Sequence, residues 1–444
     1  MIDWPDVTQK RVLKETQLPF FLYMIYLVSF FLHVPSRVTF LGLIRFDLLL
    51  VGATCVLIFS KNTMRGGSLD NASKYLISIF LYSIAVLPLV EWPGSVISNG
   101  LYGFLKGSIF YFFTVTLVLS EARLKVTIFI FLACSIFRVF EPLYLNLTTG
   151  YLGSSTYLGE GEFAGRLAGA PSDTINPNGL AFVIASVFPF LHYVFAPINR
   201  KTFTVYVVLV PALLYTMGLT LSRSGVLALG IIGFGIFIKS KNKFLLLLIG
   251  IFGLMLAWSS LDSVQKDRYL SLVSEDTKQA STAQGRVTGW LVDFEVAMNK
   301  PIIGHGLGTS REANWNVAGK DQISHMLWTE IWQEIGLIGL ALFALYLFAI
   351  FKNFREASNL IKIHHSNKEF LYRASQAMHV WLLMNLLFSF ASYGLKSYEW
   401  YLFGGLSVSL LNAVRAGTSR SDTPSKKTEE LCQERRFPLA RKIR

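Results

Sequence analysis

The chain has 444 residues, 52% of them hydrophobic and only 16% charged, with a mean hydropathy of +0.47, whereas a soluble protein carries roughly 25% charged residues. That balance excludes an ordinary soluble domain. The formal net charge of +13 is spread over loops and one terminus in a way that argues against a nucleic-acid-binding face, and the three cysteines, Cys55, Cys134 and Cys432, have neither disulfide nor zinc spacing.

Apolar runs of about 17 to 20 residues, each long enough to cross roughly 30 Å of hydrocarbon as a helix, recur along the length. They predict an all-α integral membrane protein with about twelve transmembrane helices. The expected cores are 18–34, 40–60, 75–90, 101–119, 124–140, 179–196, 203–220, 224–238, 243–260, 326–350, 374–392 and 398–413. Residues 1–17 precede the first span and carry Lys10, Arg11 and Lys14. No small-residue cleavage site follows it, so the helix reads as retained. Alternating sides from an inner N-terminus places 27 of the 41 Lys and Arg inside, while 91–100 has none and 393–397 has only Lys396. This positive-inside bias predicts cytoplasmic termini at both ends. Nine basic residues in the tail 414–444 read as a topology anchor, with anionic-lipid or protein binding as the alternative. Spans one to nine then occupy 18–260, a large outer loop 261–325, and spans ten to twelve 326–413.

Two outer segments are longer than connection requires. The first, about 141–178, ends in Arg166-Leu-Ala-Gly and Asn176-Pro-Asn-Gly, where turn chemistry leads into the sixth span with Asn178 as a plausible N-cap. In the second, Val287, Trp290, Leu291, Phe294, Ala297 and Met298 recur at helical spacing and Lys300-Pro301 ends the pattern. This predicts an amphipathic helix over about 286–299 on the outer surface, with Arg286 at its start. Gly304-His305-Gly-Leu-Gly308 follows, a tight turn or a close backbone approach to a ligand. At the head of the tenth span His325, Trp328, Thr329 and Trp332 share a helix face. The tryptophans fit an interfacial belt or a platform for sugar rings.

The chain's most informative residue is Arg223, an arginine between two apolar runs at the head of the eighth span. Its guanidinium and the free N–H groups of that helix point to one anion site, with Ser222 and Ser224 as hydroxyl donors. Arg286 repeats the arrangement, and arginine suits bidentate phosphate recognition. His325 is the nearby side chain able to exchange a proton near neutral pH. Two arginines and a histidine at one face of a lipid-embedded bundle suggest chemistry on a lipid-linked phosphate, the arginines stabilising a departing diphosphate and the histidine taking a proton from an attacking hydroxyl. No clustered carboxylate pair asks for a metal.

Three pieces of this sequence resemble the O-antigen ligase and polymerase superfamily of bacterial membrane glycosyltransferases. They are Arg166-Leu-Ala-Gly with Asn176-Pro-Asn-Gly, then Leu221-Ser-Arg223-Ser-Gly, then Gly285-Arg286 through Pro301, the glycine turn, His325 and Gly336-Leu-Ile-Gly339. Together they cover roughly 160–350. The resemblance implies a C-type glycosyltransferase-like fold and a metal-independent, cofactor-free transfer at the periplasmic face of the inner membrane. It implies a glycan on undecaprenyl diphosphate as donor and a lipid A-core sugar or another glycan as acceptor, with membrane lipids as further partners. Arg223 and Arg286 match the family's diphosphate-binding arginines and His325 its base; Arg166 and His305 rank second. Met326 departs from the polar residue usual after that histidine, which weakens the choice of ligase over polymerase. A protein O-glycosyltransferase ranks lower because the tail is short and basic. A lipid-linked glycan transporter ranks lower because no internal repeat is evident and most candidate charges lie at span ends, Glu334 and Arg138 excepted.

Overall fold

The computed structural model describes residues 12–60, 69–159, 162–240, 280–324, 326–364, 369–390 and 394–421, with scattered positions between 242 and 270. Its main elements, in chain order, begin with α1 (Gln17–Phe31), α2 (Phe46–Ser60), α3 (Asn71–Ala85), α4 (Tyr102–Leu117) and α5 (Glu121–Thr149). A hairpin of β1 (Gly153–Gly159) and β2 (Glu162–Leu167) comes next. Then follow α6 (Pro177–Phe190), α7 (Arg200–Leu219), α8 (Arg223–Lys239), α9 (Ala280–Asn299), α10 (Ser310–Ala318), α11 (Leu327–His364), α12 (Glu369–Phe388) and α13 (Tyr398–Ser421).

Among the described residues four helical stretches are long and apolar enough to cross a membrane: Glu121–Thr149, Pro177–Phe195, Arg200–Leu219 and Leu327–Ile363. Gln17–Phe31 and Phe46–Ser60 are apolar but shorter. The expected ninth span, 243–260, and much of the loop after it lie largely outside the described residues. Large apolar side chains on α7, Phe203, Val207 and Val208 among them, are exposed, as on a helix that faces lipid.

The buried core is rich in aromatic side chains. α13 packs against α4 and α11, Trp381 of α12 stacks on Phe403 of α13, and Tyr346 of α11 donates to the Trp400 carbonyl at 2.9 Å. Gly404 and Gly405 permit this closeness: a Cβ on either would run into Tyr346 or Thr114, the small-residue packing expected where lipid supplies no hydrophobic drive between helices.

The structure corrects the sequence reading in three places. α5 does not stop near 140. It runs through Pro142 to Thr149 and ends on Gly150, whose left-handed φ of 72° closes the helix. The segment beyond it is not plain loop but an antiparallel hairpin pairing Gly153 with Leu167, Ser154 with Arg166 and Thr156 with Ala164. Finally, Asn176 caps α6, its side chain accepting from Gly179 N at 2.8 Å. Asn178 therefore lies inside the helix, with its carboxamide available for other partners.

α9 ends at Asn299 as expected but begins at Ala280, so Arg286 lies within the helix and not at its start. Asp293, Val296 and Ala297 are buried, while Leu291, Phe294 and Met298 are 67%, 49% and 50% exposed. Hydrogen bonds to Asp293 set the inward face, and Leu291, Phe294 and Met298 of the apolar stripe turn outward while Ala297 faces in.

Candidate functional site

The turn between α7 and α8 is short because Leu221 takes a left-handed conformation, φ 50°, uncommon for a residue other than glycine. Thr220 Oγ1 donates to the Met217 carbonyl at 2.7 Å and accepts from Ser222 N at 3.2 Å. Ser222 caps α8, accepting from Gly225 N at 3.2 Å, and its hydroxyl donates to Asn178 Oδ1 at 2.9 Å. Ser224 Oγ lies 3.2 Å from Ser222 Oγ. Arg223 is the first residue of α8 and is half-buried. Here the N-terminal amides of a helix and a guanidinium stand together.

Arg166 is buried behind this turn. Its Nε donates to the Thr220 carbonyl at 2.9 Å, one terminal nitrogen to Thr156 Oγ1 at 3.3 Å and the other to Asn178 Oδ1 at 2.9 Å. Arg138, flagged as an ionisable group inside a span, pairs with Asp173 through Nε at 2.5 Å and Nη2 at 3.1 Å, and both side chains are buried.

The glycine turn 304–308 makes its close approach to protein. α11 breaks at Gly336, with φ 65° and ψ −172°. The break frees the carbonyls of Gln333 and Glu334, and these accept from His305 N at 2.7 Å and Gly306 N at 2.8 Å. It also frees the amides of Leu337 and Ile338, which donate to the carbonyls of Pro301 at 2.9 Å and Ile302 at 3.5 Å. The 301–306 strap thus replaces the missing turn of helix bonds, as a buried backbone requires. The Glu334 carboxylate, buried in α11, accepts from Gly308 N at 2.7 Å and Ser310 N at 3.4 Å and fixes the end of the strap. Glu330, one turn earlier, accepts from Gly394 N at 2.9 Å and Leu395 N at 3.0 Å.

His305 is buried in this strap. Its Nε2 lies 3.1 Å from the Val296 carbonyl, and its Nδ1 3.9 Å from Glu91 Oε2. Burial pushes its imidazole below the ordinary value, against the opposing pull of the Val296 carbonyl and Glu91. The folded state therefore favours neutral His305, and its contribution to stability is present above the unfolded value of about 6.5 and is lost as pH falls below it. Thermal unfolding followed from about pH 7.5 to about 5 should show stability dropping on acidification, and His305→Gln should flatten that slope. Equal slopes would remove His305 as the titrating group.

Asp293 organises the junction of α9, α10 and α11. Its Oδ2 accepts from Ser324 Oγ at 2.7 Å and Thr329 Oγ1 at 3.3 Å, and its Oδ1 from Asn314 Nδ2 and Gln333 Nε2 at 3.2 Å each. Gln333 Nε2 also donates to Asn314 Oδ1 at 3.0 Å. Ser324 immediately precedes His325, which lies outside the described residues, as does the Arg286 side chain. On the helical repeat, position 286 falls on the same face of α9 as Asp293, about 10 Å along the axis. Trp332 donates to the Pro301 carbonyl at 3.0 Å and stands edge-on to Phe294, while Trp328 packs on Phe390.

α12 links these parts. Gly235 of α8 meets Val380 of α12, and Lys239 donates to the Gln376 carbonyl at 3.4 Å, so the two helices run antiparallel. Counting back from Gly235 to Arg223, about 18 Å of rise, brings Arg223 level with the end of α12. There Leu327 N of α11 donates to the Ser389 carbonyl at 3.1 Å, and Phe388 packs on Phe182 of α6. The heads of α6, α8 and α11 therefore meet around the end of α12. Sequence reading singled out Arg223, Ser222 and Ser224 at this point but missed Asn178's role, Asp293, Gln333 and Asp173, whose partners are distant in sequence. Among the described residues no group of three or more His, Cys, Asp or Glu is placed to hold a metal ion.

These features define a multi-pass helical membrane protein with a polar site where several helices begin. Residues 206–344, from α7 into α11, match the family model described as O-antigen ligase, and the match supports a likeness of that segment to the O-antigen ligase superfamily. The segment contains Arg223, Arg286, His305 and His325. Comparison with curated proteins gave no match.

Proposed function

We propose that the protein is an O-antigen ligase, transferring a glycan from undecaprenyl diphosphate to a lipid A-core sugar hydroxyl without metal or cofactor. Arg223 and Arg286 bind the diphosphate and stabilise its charge as the glycosyl–oxygen bond breaks. His325 takes the acceptor's proton as the new glycosidic bond forms. Ser224, Trp328 and Trp332 border the substrate, whereas Ser222 and His305, expected from sequence to do so, are buried in the α8 cap and in the 301–306 strap. The enzyme lies in the bacterial inner membrane in about twelve spans, termini cytoplasmic and site periplasmic. The observation that carries this reading is the placement of Arg223 at a capped helix head, level with the α11 head that His325 precedes.

A polymerase that adds the chain to another carrier-linked unit uses the same donor, and a deletion strain separates the two. Lipopolysaccharide core lacking any O-antigen supports the ligase. Core bearing a single repeat unit assigns the polymerase, and intact lipopolysaccharide with loss of another exopolysaccharide removes the ligase reading.

A further inference from the structure

The segment 166–179 carries Arg-Leu-Ala-Gly at one end and Asn-Pro-Asn-Gly at the other, and hydrogen bonds within it and to Tyr151 and Leu152 hold it in place. Ala168 N donates to the Leu152 carbonyl at 2.8 Å, Gly169 N to Ile175 at 3.0 Å and Asp173 N to Ala170 at 2.8 Å. Tyr151 OH donates to the Gly169 carbonyl at 2.8 Å. A Cβ on Gly169 would lie 2.2 Å from the Asp173 carbonyl oxygen, so the loop closes tightly on itself. The buried Arg138–Asp173 pair fastens it to α5.

Both ends of this segment then grip one target. Arg166 spans three elements, bonding Thr156 on β1, Asn178 on α6 and the Thr220 carbonyl in the α7–α8 turn. Asn178 Oδ1 accepts from Arg166 and from Ser222 Oγ, which fills both lone pairs of that oxygen. Ser222 is at once the cap of α8 and the residue before Arg223. The left-handed Leu221 sits between the two gripped residues, and such a conformation persists only where its surroundings over-determine it.

We propose that Arg166 and Asn178 are positioning residues: they clamp the 220–222 turn and so aim Arg223 and the α8 amides at the donor, with Asp173 anchoring the clamp. This rests on the assignment of Arg223 to donor binding. Arg166, expected from sequence to contact substrate, acts in this account through Arg223.

Asn178 separates positioning from contact. Asn178→Asp keeps the accepting oxygen toward both Arg166 and Ser222 but removes the amide donor and adds a negative charge. Asn178→Leu keeps the size and removes the acceptor. In transfer assays on the purified full-length protein, with carrier-linked glycan as donor, Asn178→Asp should retain at least about half of wild-type kcat/KM and Asn178→Leu should lose about tenfold or more. In hydrogen exchange, amides of 220–226 should exchange about tenfold faster in Asn178→Leu and at the wild-type rate in Asn178→Asp. If Asn178→Asp is as impaired as Asn178→Leu, or Asn178→Leu keeps wild-type transfer and exchange, the clamp is overturned. Should Asn178→Leu fail to fold, Asn178→Asp alone decides, since direct contact with a diphosphate predicts its loss. Absence of transfer by the wild type counts against the ligase reading instead, and the exchange rates then decide the clamp.

Discussion

Gly336→Ala should detach the 301–308 strap from α11 and lower the thermal unfolding temperature by at least about 5 °C. Two costs add. The backbone at 336, φ 65° with ψ −172°, lies in a region that is essentially glycine-only, at about 1–3 kcal/mol for another residue. An alanine Cβ would also lie 2.0 Å from the Ile302 carbonyl oxygen and 2.3 Å from its carbon, so the strap must move. Moving it strands the carbonyls of Gln333 and Glu334 and the amides of Leu337 and Ile338, each worth about 1–3 kcal/mol when buried and unpaired. Gly230→Ala is the control. It sits in α8 with nothing within 4 Å of a new Cβ, and alanine in a helix interior should be neutral or stabilising by up to about 1 kcal/mol. Equal behaviour of the two variants would mean the break at 336 is not held by the strap.

Arg223→Ala should reduce kcat/KM by about 10²–10³, the loss typical of one charge-stabilising donor in a preorganised site. The half-buried side chain leaves the hydrophobic core intact, so the unfolding temperature should change by only a few degrees. Arg223→Lys should recover part of the loss, because a point charge replaces a bidentate fork. Single-turnover transfer distinguishes these effects from slow product release. Full activity in Arg223→Ala would remove this residue from the chemistry.

The parts legible in the sequence were those with local causes. Arg223 stood out because a cation between two apolar runs is costly without a role, and Ser222 because a serine before a helix is a cap. Asn178 was placed on the right helix in the wrong capacity, since a cap one turn earlier, at Asn176, freed it for Arg166 and Ser222. The glycines at 304, 306 and 308 signalled a close approach, yet that approach is to protein: Gly304 to the α11 backbone at its break, Gly306 to Val90 and Val96, and Gly308 to the Gly100 backbone. α9 was found with its start six residues late, and its spacing left the buried face open: beside a membrane, apolar side chains lose little by facing outward, so hydrophobicity does not identify that face. Asp293 does, through four partners spread over α10 and α11 and the residues between them. The hairpin 153–167 escaped notice because it is short and flanked by long apolar helices.

The most direct test is transfer by the purified protein, reconstituted in lipid and supplied with carrier-linked glycan and O-antigen-free lipopolysaccharide. The wild type should ligate without metal, and both Arg223→Ala and His325→Ala should lose at least about 100-fold. Full ligation by both variants would contradict the proposed site.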